Sequence, residues 1–210
     1  MPESVYTLSE CQQTLAIQVG IIAQCTVNLN NLNRLRSPKS AAENRIFEKG
    51  FILHLTAVYA NALVTDLDKL YSSSPNQRQS FVHMLKHLSE DEYDGELLAL
   101  IHLKDEGRQW HIEPDVRSAA SQMAVFLLSK NETMKRLRYH RDKYTAHRDA
   151  DWKSNDLPMR GELNALTNTA VEIHRVLSTD LALVTPAYDE LKSELGVEEM
   201  ISAWVKTLSL

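Results

Sequence analysis

Apolar residues recur at three- and four-residue steps along most of this chain, the spacing of an amphipathic α-helix rather than of a strand. The first such run extends from Leu8 to Leu35 and predicts one long helix. The run ends before Ser37-Pro38, and Ser40 with Glu43 three residues later forms a capping box that starts a second helix. We predict that this second helix spans Ala41–Tyr71 and buries one stripe of side chains: Phe47, Phe51, Leu55, Tyr59, Ala62 and Leu70.

Shorter helices follow, and two further Ser-x-x-Glu patterns, at Ser89 and at Ser129, mark where two of them begin. The second pattern predicts a break or kink just before a basic helix. The predicted helices cover Gln79–Leu88, Glu90–Lys104, Asp115–Leu128, Ser129 to about His147, Arg160–Leu177, and two short stretches of Asp180–Leu210 that are separated at Gly196. Gly107–Pro114 is a predicted loop. We therefore expect an all-α antiparallel bundle in a single domain over residues 1–210, with its core at about 8–178 and appended C-terminal helices at about 180–210.

Composition agrees with one helical domain, because 210 residues can bury a substantial core and glycine and proline number only six each. The two cysteines, Cys11 and Cys25, provide no disulfide framework, and we expect them to be buried as small hydrophobic residues. We see no basic leader, and we expect no apolar run that approaches the ~18 residues needed to span a bilayer. These features predict a soluble, cytoplasmic protein without a membrane partner.

Charge is distributed unevenly along the chain. The segment Lys130–Arg148 contains seven basic and two acidic residues, a net charge of +5 in a chain whose total is -5, so the remainder carries -10. Concentrated positive charge on an acidic protein suits a confined anion site, such as one for a phosphate. The alternative interpretation is a basic helix face that is simply solvated.

Several common kinds of chemistry have no motif in this chain. The six glycines are scattered without a phosphate-binding loop, and neither Glu-x-x-His, His-Glu-x-x-His nor Cys-x-x-Cys occurs, so the usual nucleotide loops, di-iron carboxylate sites and zinc sites are excluded. His83, His87 and Asp91 would share one face of an uninterrupted helix, but Ser89 is expected to interrupt it. We expect neither a metal nor a cofactor.

The basic segment contains the most informative motif. Arg141 is followed directly by Asp142 and, after five intervening positions, by His147. This resembles the Arg-x(4–6)-His motif of the HEPN superfamily of all-α domains, and the form Arg-Asp-Lys-x-x-Ala-His is most similar to the abortive-infection AbiU-like branch. Arg78 and His83 meet the same spacing without the basic surroundings, and we interpret that pair as coincidence.

The resemblance implies a metal-independent endoribonuclease of a toxin or phage-defence system, which cleaves RNA by attack of the neighbouring 2′-hydroxyl. His147 would move the proton and Arg141 would stabilise the charge on the phosphorane. Asp142 would orient one of them or hold the 2′-hydroxyl. Five neighbours are candidate RNA contacts, with ordinary helix surface or dimer packing as the alternative role: Arg138, His140, Lys143, Tyr144 and Arg148.

The resemblance also implies a homodimer. Residues six apart on a straight helix point about 120° from each other and lie ~9 Å apart along its axis, so one helix does not easily close the site. The family pairs two motif helices across a two-fold axis. RNA and an antitoxin protein are the other expected partners.

Asp149 stands where one toxin branch has a tyrosine that receives nucleotides, so we do not expect this protein to be regulated by nucleotide transfer to that position. The second hypothesis is a non-catalytic HEPN module that dimerises and binds RNA or protein.

Overall fold

The computed structural model describes residues 5–90, 92–100, 116–142, 160–181 and 197–208. In these ranges the chain forms an all-α bundle, as predicted, apart from an isolated bridge between Tyr6 and Tyr93. The predicted loop at 107–114 and the first of the two tail helices lie outside the described residues. The helices, in chain order, are α1 (Leu8–Leu35), α2 (Ala41–Phe47), α3 (Gly50–Tyr71), α4 (Phe81–Glu90), α5 (95–100), α6 (Val116–Ser129), α7 (Asn131–His140), α8 (Arg160–Asp180) and α9 (Val197–Leu208).

Helix α1 has the predicted bounds and packs along α3 and α8. It begins with a capping box, in which the Thr7 hydroxyl accepts a hydrogen bond from the Glu10 amide at 3.1 Å and the Glu10 carboxylate accepts one from the Thr7 amide at 3.0 Å. Cys11 and Cys25 are both fully buried, as expected. Burial raises the pKa of the Cys11 thiol to about 12, so this side chain is a protonated, apolar part of the core.

The predicted continuous helix Ala41–Tyr71 is wrong, because the chain turns between Phe47 and Gly50 and forms α2 and α3 instead. Ser40 does cap α2, since its hydroxyl accepts a hydrogen bond from the Glu43 amide at 3.1 Å. The turn lets side chains of both helices enter a second, smaller core with residues of α1 and α9: Leu35, Ile46, Phe47, Ile52, Val197 and Ile201. This packing across distant parts of the chain explains the break.

Helix α3 lies at the centre of the bundle and contacts α1, α4, α7 and α8. Leu70 is fully buried, as predicted. The rest of the buried face differs from the predicted stripe, since Leu63, Val64 and Leu67 are fully buried and Phe51 is exposed. By length and composition alone α3 is also apolar enough to cross a membrane, so the expectation that no segment reaches that threshold is wrong. The core helix of a soluble bundle meets the same criterion when it is mostly buried, whereas 28% of the apolar window of α3 is buried.

The predicted capping roles of Ser89 and Ser129 are wrong. Each hydroxyl instead donates to a carbonyl three residues earlier in its own helix, from Ser89 to Lys86 at 3.0 Å and from Ser129 to Phe126 at 2.6 Å. Asp94 caps the helix that follows α4, since its carboxylate accepts a hydrogen bond from the Leu97 amide at 2.7 Å. The chain nevertheless breaks between α6 and α7, as predicted.

Candidate functional site

The described part of the motif lies at the end of α7, which packs on α3 and α6. Arg138 and His140 belong to the last turn of the helix, and residues 141–142 continue in a wider, π-type turn. Within the described residues, the straight-helix geometry therefore ends at His140. The remaining predicted site residues lie outside the described residues: Lys143, Tyr144, His147 and Arg148.

The guanidinium of Arg141 bonds two carboxylates on different sides. Its Nη1 donates to Oδ2 of Asp68, and its Nε and Nη2 donate to Oδ1 of Asp142 at 2.9 Å and 2.5 Å. The side chain of Asp68 is only 4% exposed, whereas those of Arg141 and Asp142 are 32% and 52% exposed. Arg141 is thus anchored from the protein interior by Asp68 and is flanked at the surface by Asp142.

Asp68, on α3, is the residue of this cluster that the sequence analysis did not identify. Arg138 lies near the carboxylate of Asp68 as well, with its Nε 3.9 Å from Oδ1 of that side chain. Burial raises the pKa of Asp68, and the two arginines offset part of that rise. Burial alone would lower the pKa of Arg141, but hydrogen bonds to Asp142 and Asp68 outweigh it and raise that pKa. The sequence did contain a signal for this residue: Asp68 lies between Leu67 and Leu70 on a mostly apolar helix. A charge at such a position is expected to be buried and to need a partner of opposite charge.

His140 lies inside the protein, with 1% of its surface exposed. Burial lowers its pKa, so the ring is neutral near neutral pH. This burial within the chain fits neither an RNA contact nor the alternative expected for His140, ordinary helix surface or dimer packing.

Much of the positive charge of α7 is balanced by carboxylates. Lys135 bonds Glu132 at 2.7 Å on the same helix, and Arg136 bonds Glu162 of α8. Asp68 supplies a further negative charge from α3, beside Arg138 and Arg141. The surface around α7 is therefore less positive than the +5 segment indicates, because Asp68 and Glu162 reach it from distant parts of the sequence.

The second pair with the motif spacing, Arg78 and His83, lines a different pocket of about 560 Å³ beside α1 and α4. The Nε2 atom of His83 lies 2.9 Å from the carbonyl oxygen of Ser74, and the ring of His87 stacks on that of Tyr6 with centroids 4.8 Å apart. Among the residues that the structure describes, no group of three or more histidine, cysteine or acidic side chains is placed to hold a metal ion. Asp91 lies outside that part of the chain.

The chemical capacity of the described site lies in Arg141. A guanidinium carries five N–H donors, and the carboxylates of Asp68 and Asp142 engage Nη1, Nε and Nη2, each through one N–H. Among the described residues, the second N–H groups of Nη1 and Nη2 have no carboxylate partner, and the side chain is 32% exposed, so it can donate to an anion while Asp68 holds it in place. No protein-family model, curated protein or solved structure matches this chain.

Proposed function

We propose that this protein is a metal-independent endoribonuclease of the HEPN type, a toxin or phage-defence enzyme whose site forms across a homodimer. The observation that supports this most is the placement of Arg141, the motif arginine. Its guanidinium is anchored by the buried carboxylate of Asp68, yet the side chain remains 32% exposed. A fixed cation with one open side is suited to stabilising charge that develops on a phosphate.

The proposed reaction uses the RNA's own nucleophile. A base removes the 2′-hydroxyl proton, O2′ attacks the adjacent phosphorus, and the bond to O5′ breaks as that oxygen is protonated. His147, which lies outside the described residues, is proposed to transfer these protons, because a histidine titrates near neutral pH. Arg141 stabilises the phosphorane, and Asp142, beside it, orients the reacting groups.

A second candidate function is a non-catalytic HEPN module that dimerises and binds RNA or a protein such as an antitoxin. The charge balance around α7 favours it, since Arg136 and Arg141 each bond carboxylates of other helices. Cations already paired in this way release fewer counterions from RNA and so contribute less affinity.

Cleavage of varied RNAs by the purified chain, with a chelator present, tests the proposal. We expect products with 2′,3′-cyclic phosphate ends, and no cleavage by His147→Ala. Arg141→Lys keeps a charge beside Asp68 but loses the planar fork, and we expect roughly a hundredfold slower cleavage. Arg78→Lys and His83→Ala are matched controls, because that pair has the motif spacing and lies in another pocket.

Three results separate the two candidates. RNA binding without cleavage by the wild-type chain supports the non-catalytic module. Cleavage that is unchanged in His147→Ala overturns the proposed role of the motif. A monomer that cleaves RNA at full rate contradicts the composite site.

A further inference from the structure

A pocket of about 280 Å³ lies between the C-terminal end of α3 and helices α4, α6 and α7. Its lining is mostly apolar and includes Val82, Leu127, Leu128 and Met134. Three basic side chains line it as well, Lys86 from α4 and Lys135 and Arg138 from α7. The pocket therefore combines an apolar surface with positive charge, which suits a ligand that carries both an apolar face and an anionic group.

The cations of this pocket are held less tightly than Arg141. Lys135 pairs with Glu132, but both side chains are well exposed and such pairs contribute little. Arg138 lies 3.9 Å from Asp68 and is 43% exposed. Lys86 makes no ion pair with any residue in the described ranges, and Glu90 is the one acidic side chain among the lining residues. Positive charge is thus available here for a ligand.

Arg138 also connects this pocket to the motif. Its guanidinium and that of Arg141 face the two oxygens of the same Asp68 carboxylate. A nucleic-acid strand with one phosphate at Arg141 would therefore have a neighbouring nucleotide close to Arg138 and the pocket.

We infer that this pocket takes an unpaired nucleobase of the RNA, with the adjoining backbone phosphate on Lys86 and Arg138. The inference rests on the proposed function and narrows its substrate to single-stranded RNA or loops. The faces of a base are apolar and suit the apolar lining, while the phosphate of the same nucleotide suits the basic side chains. A base within a duplex would first have to leave its stack, which costs free energy.

Two glutamate substitutions on α6 provide a matched test. Leu128 lines the pocket and is 71% exposed, whereas Val125 is 67% exposed and is not among the lining residues. Leu128→Glu and Val125→Glu therefore add the same charge at similarly exposed positions of one helix, and neither substitution disturbs the core. The measurement is fluorescence anisotropy of a labelled short single-stranded RNA, and of its duplex, with both variants in a His147→Ala background that prevents cleavage.

We expect Leu128→Glu to weaken single-strand binding roughly tenfold, the effect of losing one base contact, and Val125→Glu to change it less than about twofold. The duplex should bind more weakly and respond equally to both substitutions. Equal losses of single-strand binding in the two variants, or a duplex that binds as tightly as the single strand, overturn the inference.

Cleavage assays on the same substitutions in the otherwise wild-type chain separate this inference from the proposed function. If the wild-type chain cleaves RNA and both α6 variants bind and cleave alike, only the base pocket is overturned. If single-strand binding depends on Leu128 but the wild-type chain never cleaves, the nuclease proposal is overturned and the base pocket is supported. A wild-type chain that binds no RNA overturns both.

Discussion

The ion pair between Asp68 and Arg141 joins groups of very different burial, so removal of one partner should differ from removal of the other. Arg141→Ala leaves the carboxylate of Asp68, which is 4% exposed, with Arg138 at 3.9 Å as its remaining cationic partner among the described residues. Asp68→Asn leaves a guanidinium that is 32% exposed and still bonded to Asp142. We expect Arg141→Ala to be much the more destabilising change.

The magnitude follows from the cost of an uncompensated buried charge, about 3–5 kcal/mol. Because Arg138 compensates Asp68 in part, we expect Arg141→Ala to lose about 3 kcal/mol of unfolding free energy. Asp68→Asn removes the cost of burying a carboxylate together with the ion pair, so its loss should stay below about 1 kcal/mol. For a chain of this size these values correspond to Tm decreases of roughly 6–12 °C and less than roughly 4 °C.

The loss of unfolding free energy in Arg141→Ala should depend on pH. Arg141 lowers the pKa of Asp68, so Arg141→Ala raises that pKa further above its value in the unfolded chain. The folded state then binds a proton more tightly than the unfolded state, and the stability of the variant increases as pH falls through the raised pKa. Below that pKa the side chain of Asp68 is neutral, and the loss relative to wild type should shrink.

Thermal unfolding followed by circular dichroism, near pH 7 and at about pH 4.5, measures these differences. The double variant Asp68→Asn/Arg141→Ala should recover most of the loss, because no buried charge remains. Arg78→Ala is the control for removal of an exposed arginine. Equal losses in the two single variants, or no recovery in the double variant, would refute the reasoning.

Three further predictions concern the rest of the fold. Arg34 joins α1 to α9, because its Nε lies 2.6 Å from Oε1 of Glu198. Arg34→Leu should lower the unfolding free energy by about 2–3 kcal/mol, measured by chemical denaturation. A loss below about 0.5 kcal/mol would show that the link contributes little. Burial lowers the pKa of His174 below its usual 6.5, so the unfolded chain takes up a proton at a higher pH than the folded chain does. The unfolding free energy should therefore fall as pH drops below about 6.5, and less steeply in His174→Gln. Identical pH dependence in the two proteins contradicts this. On α3, Leu63→Ala should cost about 2–5 kcal/mol and Leu53→Ala less than about 0.5, and similar losses would contradict the observed buried face.

Local patterns were enough to locate most helices, as the match between the predicted and observed bounds of Leu8–Leu35 shows. The break between α2 and α3 could not be located in this way, because three- and four-residue spacing continues through Phe47 and Phe51. The break depends on a second core to which Val197 and Ile201 contribute from the far end of the chain. Periodicity within one segment contains no information about such a contact.

Capping patterns were only partly informative for a related reason. Among the three Ser-x-x-Glu patterns, Ser40 caps the helix that follows, whereas the hydroxyls of Ser89 and Ser129 bond carbonyls of the helix behind them. A serine hydroxyl both donates and accepts, so the same local sequence permits either arrangement. Ser40 follows Pro38, which ends the preceding helix and leaves no helical carbonyl three residues behind it.

The candidate site shows why the charge of a segment is a weak guide to its surface. The count over Lys130–Arg148 predicted a basic segment, whose described part includes α7, but it could not include Asp68 and Glu162, which α3 and α8 bring to Arg141 and Arg136. These carboxylates reduce general attraction for RNA while they restrict where an arginine points. For the proposed nuclease, the anchored position of Arg141 therefore matters more than the total charge of α7, and affinity should depend most on the less tightly paired cations beside the pocket.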